Sequence, residues 1–153
     1  MTKIKYAYFE DFKIGQKFTS GPYKVTEKEV IEFAEKYDPQ IMHTNPKRAA
    51  DETIFGKLIA SGWHTAAMSM NLFVKAYPDI KGGMIGRSIE KLEWPRPTYP
   101  GDELNLECII TKLQPSKSRP EIGIVSLQNT TLNQKGQTVQ RAHVIMIIPT
   151  RKA

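Results

Sequence analysis

The sequence predicts an α+β fold in which a mostly antiparallel sheet wraps around one long central helix. Helical patterns fill the first half of the chain, whereas alternating strand patterns joined by turns fill the second half. The longest helical pattern runs over 63–77, and Pro78 ends it. Because its apolar residues cover most of the helical circumference, we expect this helix to be buried nearly all round.

Length and composition indicate one soluble domain spanning residues 1–153. The hydrophobic fraction of 40% and the charged fraction of 25% are typical of globular proteins. The net charge of +6 suits a polyanionic ligand, but the lysines and arginines are scattered without a long run. That scatter favours a solvated surface, and we expect no nucleic-acid partner.

The few cysteines and histidines limit the possible cofactors and compartments. Cys108 is the only cysteine, which excludes an internal disulfide, and with three histidines it makes no metal-ligand set. We therefore expect no metal and no redox cofactor. The first residues lack the apolar core of a signal peptide, and no run approaches the ~20 apolar residues that span a bilayer. We expect a cytoplasmic protein with no membrane partner.

The first half predicts a strand, a capped helix and a short polar helix. A strand over 18–25 is broken near Gly21-Pro22, and Thr26 with Glu29 forms a capping box for the following helix. That helix ends at Asp38-Pro39. A short helix then begins at Asn45-Pro46 and ends near Asp51. The apolar stripe of the first helix is Val30, Phe33, Ala34 and Tyr37.

The second half predicts four strands, over 84–92, 103–110, 122–131 and 139–148. A rigid, proline-rich connection over 93–102 joins the first two of them. The continuous apolar run 144–148 favours burial on both faces or at a subunit contact. The alternating apolar residues of the second of these strands are Leu104, Leu106, Cys108 and Ile110, which predicts one buried face.

An acid, an imidazole and a helix-opening glycine indicate proton-transfer chemistry. Asp38 and His43 lie five positions apart in a segment that prolines keep from being one continuous helix, so both side chains can face a common space. Gly62 opens the long helix, where the first N–H groups lack helical partners and carry partial positive charge. These are the groups needed to move protons beside a developing oxyanion.

These residues resemble the MaoC-like dehydratase family, whose members include the (R)-specific enoyl-CoA hydratases with the hot-dog fold. The resemblance rests on Asp38, on His43 five positions later, and on the segments 59–62 (Ile-Ala-Ser-Gly) and 94–102, which ends in Pro-Gly-Asp. It covers nearly the whole chain. Where the family has Asn-Pro, this chain has Gln40-Ile41, which we interpret as a change in substrate shape rather than in reaction type.

The resemblance implies reversible hydration of a trans-2-enoyl-CoA to a (3R)-3-hydroxyacyl-CoA. Asp38 and His43 would share the proton transfers, with the formal base left open, and the Gly62 N–H would bind the oxyanion. Coenzyme A or an acyl carrier protein would enter only as part of the thioester substrate. Because sites of this family lie at a dimer interface, beside a tunnel for the acyl chain, the resemblance implies a homodimer or a higher homo-oligomer.

Four neighbouring residues are candidates for substrate binding. The Gln40 amide can hold a ligand or position the loop, and Ser61 can donate a hydrogen bond near the oxyanion or cap the helix. Trp63 can narrow an acyl tunnel, and His64 is either a neighbour of the site or part of the helix packing. The candidates for the phosphates of coenzyme A are Arg96, Lys117 and Arg119.

Two other functions use the same fold and ligand. A hot-dog thioesterase is disfavoured, because the paired Asp38 and His43 with a downstream glycine are the hydratase arrangement. A non-catalytic subunit that binds acyl thioesters is favoured only by the departures at Gln40 and Ile41. Such a subunit would bind acyl-CoA without turnover.

Overall fold

The computed structural model describes residues 5–153. Residues 1–4 of the predicted domain lie outside this range. A 3₁₀ turn at Phe9–Asp11 precedes four helices and five strands. None of the helices in residues 5–153 is long and apolar enough to cross a bilayer. In chain order the elements are β1 (Lys17–Lys24), α1 (Glu27–Tyr37), α2 (Ile41–Thr44), α3 (Pro46–Glu52), α4 (Gly62–Ala76), β2 (Ile85–Glu93), β3 (Glu103–Pro115), β4 (Ile122–Leu132) and β5 (Thr138–Pro149).

The five strands form one antiparallel sheet in the order β1-β3-β4-β5-β2. Every predicted helix and strand is present, which confirms the α+β class. The main difference in bounds is that β3 continues to Pro115 instead of ending at Ile110. Its partner β4 continues the pairing over this extra length. The β3–β4 hairpin therefore lies far from the loop that precedes β3, at the opposite end of the strand.

The irregular point predicted in β1 is a register shift between Ser20 and Tyr23. Gly21 lies there with a φ of 133°, a conformation that favours glycine. A Cβ on Gly21 would also approach the Leu104 carbonyl oxygen to 2.9 Å. The close approach of β1 to β3 therefore requires a glycine at this position.

The core lies between the sheet and one face of α4. The predicted buried face of β3 is confirmed, since each of its four apolar side chains is at most 1% exposed. These side chains belong to the same buried cluster as Met68, Leu72 and Phe73 of α4. The helix packs against β1, β3 and β5, which fixes its N-terminus beside the connection between β2 and β3.

The expectation that α4 is buried nearly all round is wrong. Trp63, Met70 and Val74 are 60%, 46% and 59% exposed. The five strands of one chain cover only one side of the helix, so its outer face has no covering element within residues 5–153. The run 144–148 likewise alternates between buried and half-buried side chains, which excludes burial on both faces within a single chain.

Candidate active site

Asp38 and His43 are brought together by the end of α1 and a single turn of helix. The Asp38 N–H donates to the Ala34 carbonyl oxygen at 2.9 Å, so the carboxylate projects from the helix end. The next helix, α2, is one turn that the sequence did not predict, and it carries His43. As a result, His43 Nε2 lies 3.5 Å from Asp38 Oδ2.

The His43 ring is held in one tautomer by the backbone. Its Nδ1 lies 2.8 Å from the Ile59 carbonyl oxygen, and the side chain is nearly fully buried. A carbonyl oxygen can only accept a hydrogen bond, so Nδ1 carries the hydrogen in the neutral ring. The Nε2 lone pair is then left free on the side that faces Asp38, where it can accept a proton.

The Asp38 carboxylate is held in its ionised form by two donors. The Ser61 hydroxyl donates to Oδ2 at 2.6 Å, and the Gln40 side-chain amide donates to Oδ1 at 2.7 Å. The Ser61 hydrogen bond is the largest cause of a lowered Asp38 pKa, and Gln40 and His43 lower the pKa further against the effect of burial. Asp38 is therefore a carboxylate at neutral pH.

Gly62 begins α4, where the first-turn backbone N–H groups receive no side-chain cap. Ser61 is the N-cap residue, but its hydroxyl donates to Asp38 and does not cap the first-turn N–H groups. Those groups have no helical acceptor and carry the positive end of the helix dipole. A Cβ at Gly62 would lie 2.8 Å from the Trp94 ring, so this close packing requires glycine.

His43 and Gly62 line one cleft of about 380 Å³. Its walls come from α2, the segment before α4, the first turn of α4 and the proline-rich connection. Most of its lining is apolar, as in small-molecule binding sites generally. The lining residues are Met42, His43, Phe55, Ile59, Ala60, Gly62, Thr65, Trp94, Pro95, Arg96, Pro97 and Thr98.

Asp38 and the four predicted substrate-binding residues are not part of this lining. Gln40 and Ser61 contact Asp38, as described above. The exposed Trp63 ring packs edge-on against Trp94, with centroids 5.5 Å apart. His64 is buried and stacks on Phe33 at 4.6 Å, and this burial lowers its pKa. A substrate-binding role for these four residues stays a prediction.

The three cations considered for coenzyme A phosphates separate into two places. Arg96 lines the cleft. Lys117 and Arg119 lie in the β3–β4 hairpin, at the opposite end of the 13-residue strand β3 from Gly101. At about 3.3 Å per residue, that strand separates them from the cleft of the same chain by roughly 40 Å.

Sequence reasoning missed the Ile59 carbonyl and the two threonines of the cleft. The Thr65 and Thr98 hydroxyls are 3.2 Å apart and buried. A backbone carbonyl leaves no signal in the residue type, and the threonine pair joins positions 33 residues apart. Across the described part of the chain, no three His, Cys, Asp or Glu residues cluster as a metal site.

Known proteins resemble this chain over almost its whole length. The family described as MaoC like domain matches residues 11–132. The crystal structure of a MaoC-like dehydratase from Rhodospirillum rubrum is 41% identical, with a TM-score of 0.87 over 95% of this chain and 98% of that one. An (R)-hydratase from A. caviae involved in PHA biosynthesis is 25% identical, with a TM-score of 0.72 over 92% of this chain and 99% of that one.

A protein of Bacillus subtilis (strain 168) described as uncharacterized, YdeM, is 32% identical over 141 residues, which is 91% of this chain and 96% of that protein. The family match covers well over half of the chain, and the antiparallel sheet packed on one long helix is the arrangement of the related structures. The chain therefore belongs to the MaoC-like dehydratase family and has the hot-dog fold.

Proposed function

We propose that this protein catalyses the reversible addition of water to a trans-2-enoyl thioester, giving a (3R)-3-hydroxyacyl thioester. The observation that carries the proposal is the facing pair of His43 Nε2 and Asp38 Oδ2, 3.5 Å apart beside the start of α4. The similarity to the (R)-hydratase of A. caviae supports the (3R) configuration of the product. The thioester carrier is coenzyme A or an acyl carrier protein, and no separate cofactor takes part.

In this mechanism His43 is the base and Asp38 orients the water. A water at the side of this pair donates one hydrogen bond to Nε2 and one to the Asp38 carboxylate. His43 takes the water proton while the oxygen bonds to the β-carbon of the enoyl group. The resulting imidazolium is stabilised by the adjacent Asp38 carboxylate and returns its proton to the α-carbon. The sum is one water added across the double bond.

The Gly62 N–H stabilises the charge that develops during this addition. As the nucleophile bonds to the β-carbon, electron density moves to the thioester oxygen and forms an enolate. A donor at the positive end of α4, fixed before the reaction begins, lowers the energy of that enolate without reorganisation. Loss of one such donor costs other enzymes about 10²- to 10³-fold in rate.

The test is the loss of enoyl absorbance when the purified protein is mixed with short and medium trans-2-enoyl-CoA. Asp38→Asn and His43→Ala should each lower kcat/KM by at least about 10²-fold while circular dichroism remains native. Release of free thiol without hydration would make the protein a thioesterase. Binding of acyl-CoA with no turnover would make it a receptor, and either result would contradict the proposal.

We also propose that two copies of the chain pair through the outer face of α4 and the edge strand β2. The exposed apolar side chains of α4 lie on one face of the helix, and within residues 5–153 β2 pairs with β5 alone. Ile85 and Ile89 on β2 are 59% and 54% exposed. An apolar helix face beside an open sheet edge is a typical association surface.

Light scattering during gel filtration measures this association directly. We expect wild type to have twice the mass of one chain, and Val74→Glu to shift it toward the monomer, because a charge at the centre of the apolar face opposes burial. Lys75→Glu places the same charge at the neighbouring residue of α4 and is the matched control. A monomeric wild type would refute the dimer.

A further inference from the structure

The loop 94–97 carries one charged side chain, the exposed Arg96, beside the candidate oxyanion site. Trp94 is anchored at both ends, because its Nε1 donates to the Gln140 side-chain oxygen at 2.8 Å and its ring packs on Gly62. Pro95 and Pro97 flank Arg96, and a following proline restricts a residue to extended backbone. Arg96 is therefore presented to the cleft from a rigid segment.

The Arg96 guanidinium has unused hydrogen-bonding capacity. No Asp or Glu of residues 5–153 forms an ion pair with it. Within the described part of the chain, the guanidinium donates to one acceptor, the Thr138 carbonyl oxygen at 3.4 Å. A guanidinium has five donors and stays charged at any physiological pH, so most of its donors are open to a ligand.

Arg96 is the only permanently charged residue in the cleft lining, and the rest is apolar apart from His43 and two threonines. A neutral acyl chain makes no use of such a group. A carboxylate matches it in charge and in geometry, because two parallel N–H groups of a guanidinium bind the two carboxylate oxygens together. Because Arg96 is exposed, solvent screens part of the attraction, and discrimination depends mainly on this bidentate geometry.

The position of Arg96 indicates which part of the substrate it contacts. It lines the same 380 Å³ cleft as His43 and Gly62. When the thioester carbonyl lies at Gly62, the phosphates of coenzyme A are removed from it by the whole pantetheine arm. An acyl chain bound in this cleft would lie against its lining, of which Arg96 is the only permanently charged member.

We propose that the preferred substrate is an enoyl thioester whose acyl chain ends in a carboxylate, and that Arg96 binds this carboxylate as a specificity residue. The inference rests on the proposed hydratase function and narrows its substrate class. Discrimination comes from Arg96 binding the charged chain end, while Asp38, His43 and Gly62 act on the double bond and the thioester.

The kinetic test compares two short trans-2-enoyl-CoA substrates that differ only at the chain end, one with a carboxylate and one with its methyl ester. We expect wild type to prefer the acid in kcat/KM by at least about tenfold, as a charge-assisted bidentate pair allows. Arg96→Gln should remove this preference. Arg96→Lys, which keeps the charge and loses the planar fork, should retain part of it.

The matched control is Arg119→Gln, the same substitution at the far end of the sheet. It should leave the ratio of the two kcat/KM values at the wild-type level. Repeating the comparison with pantetheine thioesters, which lack the coenzyme A phosphates, shows whether Arg96 binds the acyl carboxylate or a phosphate. A preference that persists supports the acyl carboxylate. An Arg96→Gln effect that is equal for both chain ends and vanishes without phosphates would overturn the proposal.

Calorimetry with the corresponding saturated thioesters gives a readout that does not need turnover. We expect wild type to bind the acid at least about tenfold more tightly than the ester, and Arg96→Gln to bind them equally. Hydration of both substrates with no preference would overturn this inference and leave the hydratase function intact. Arg96-dependent binding of the acid without any hydration would support the inference and refute the hydratase.

Discussion

Titratable side chains lie at both ends of α4, but their environments are opposite in polarity and in access to water. At the N-terminal end, Asp38 is partly open to water and receives hydrogen bonds from Ser61 and Gln40. At the C-terminal end, the Tyr77 hydroxyl lies 2.9 Å from Cys108 Sγ, and both groups are buried. The N-terminal end keeps an ionised carboxylate that water can reach, whereas burial at the C-terminal end disfavours the charged forms.

The opposite directions of the pKa shifts show the physical difference. Donors lower the pKa of Asp38, whereas burial raises the pKa of Cys108 to about 11 and also raises that of Tyr77. Aromatic packing seals the C-terminal end, with Tyr77 stacked on Phe18 at 4.2 Å and tilted against Phe73 at 4.9 Å. A titratable pair therefore indicates function only where the fold leaves access to it.

The largest expected effect is on stability, at the sealed end. Phe73 is 1% exposed, so Phe73→Ala removes a fully buried ring and leaves a cavity. We expect the free energy of unfolding in urea to fall by about 3–5 kcal/mol. The KM of the folded fraction should remain near wild type, because the cleft lies at the other end. A loss below about 1 kcal/mol would show that this end is not tightly packed.

At the open end, Gly62→Ala should affect activity more than stability. The new Cβ would overlap the Trp94 ring, so the ring or the start of α4 must move. Displacement on the scale of 1 Å costs roughly 10²-fold in kcat/KM, against about 1–3 kcal/mol in unfolding free energy. Gly86→Ala is the control, since a Cβ there meets nothing within 4 Å. Equal kinetics for the two variants would refute the role of Gly62.

Ser61→Ala tests the cause of the lowered Asp38 pKa. The Ser61 hydroxyl stabilises the charged carboxylate, so its removal raises the Asp38 pKa. The protonation of Asp38, followed by NMR of its isotope-labelled carboxyl carbon, should therefore move to higher pH. Ser69→Ala, which removes a buried hydroxyl of the same helix that bonds to Thr131, should leave this titration in place. An unmoved Asp38 titration in Ser61→Ala would contradict the assignment.

The smallest effect is expected for Tyr77→Phe, which removes only the hydroxyl that contacts Cys108. We expect a loss of about 0.5–1.5 kcal/mol in thermal or chemical unfolding, because one buried hydrogen bond is lost and the ring packing remains. kcat/KM should not change. A marked change in the pH profile would show that the two ends of α4 are coupled. It would contradict the view that the Tyr77–Cys108 pair has no part in activity.

Much of the fold followed from short-range patterns in the chain. The capping residue Thr26 accepts a hydrogen bond from the Glu29 N–H at 3.2 Å, as predicted. The Glu29 carboxylate also accepts hydrogen bonds from the hydroxyls of Thr26 and Tyr23. The cap is local and was predictable, whereas the contact with Tyr23 depends on how β1 packs beside α1.

By itself, the sequence determined the order of helices and strands, the buried face of β3, the end of α4 near Pro78, and the candidates Asp38, His43 and Gly62. Each of these depends on periodicity, capping or a short motif. Only the tertiary structure decided the exposed outer face of α4, the place of Arg96 in the cleft, and the hydrogen bond from Ser61 to Asp38 across 23 positions. The physical reason is that such contacts depend on how separate elements pack, and local residue patterns do not encode that geometry.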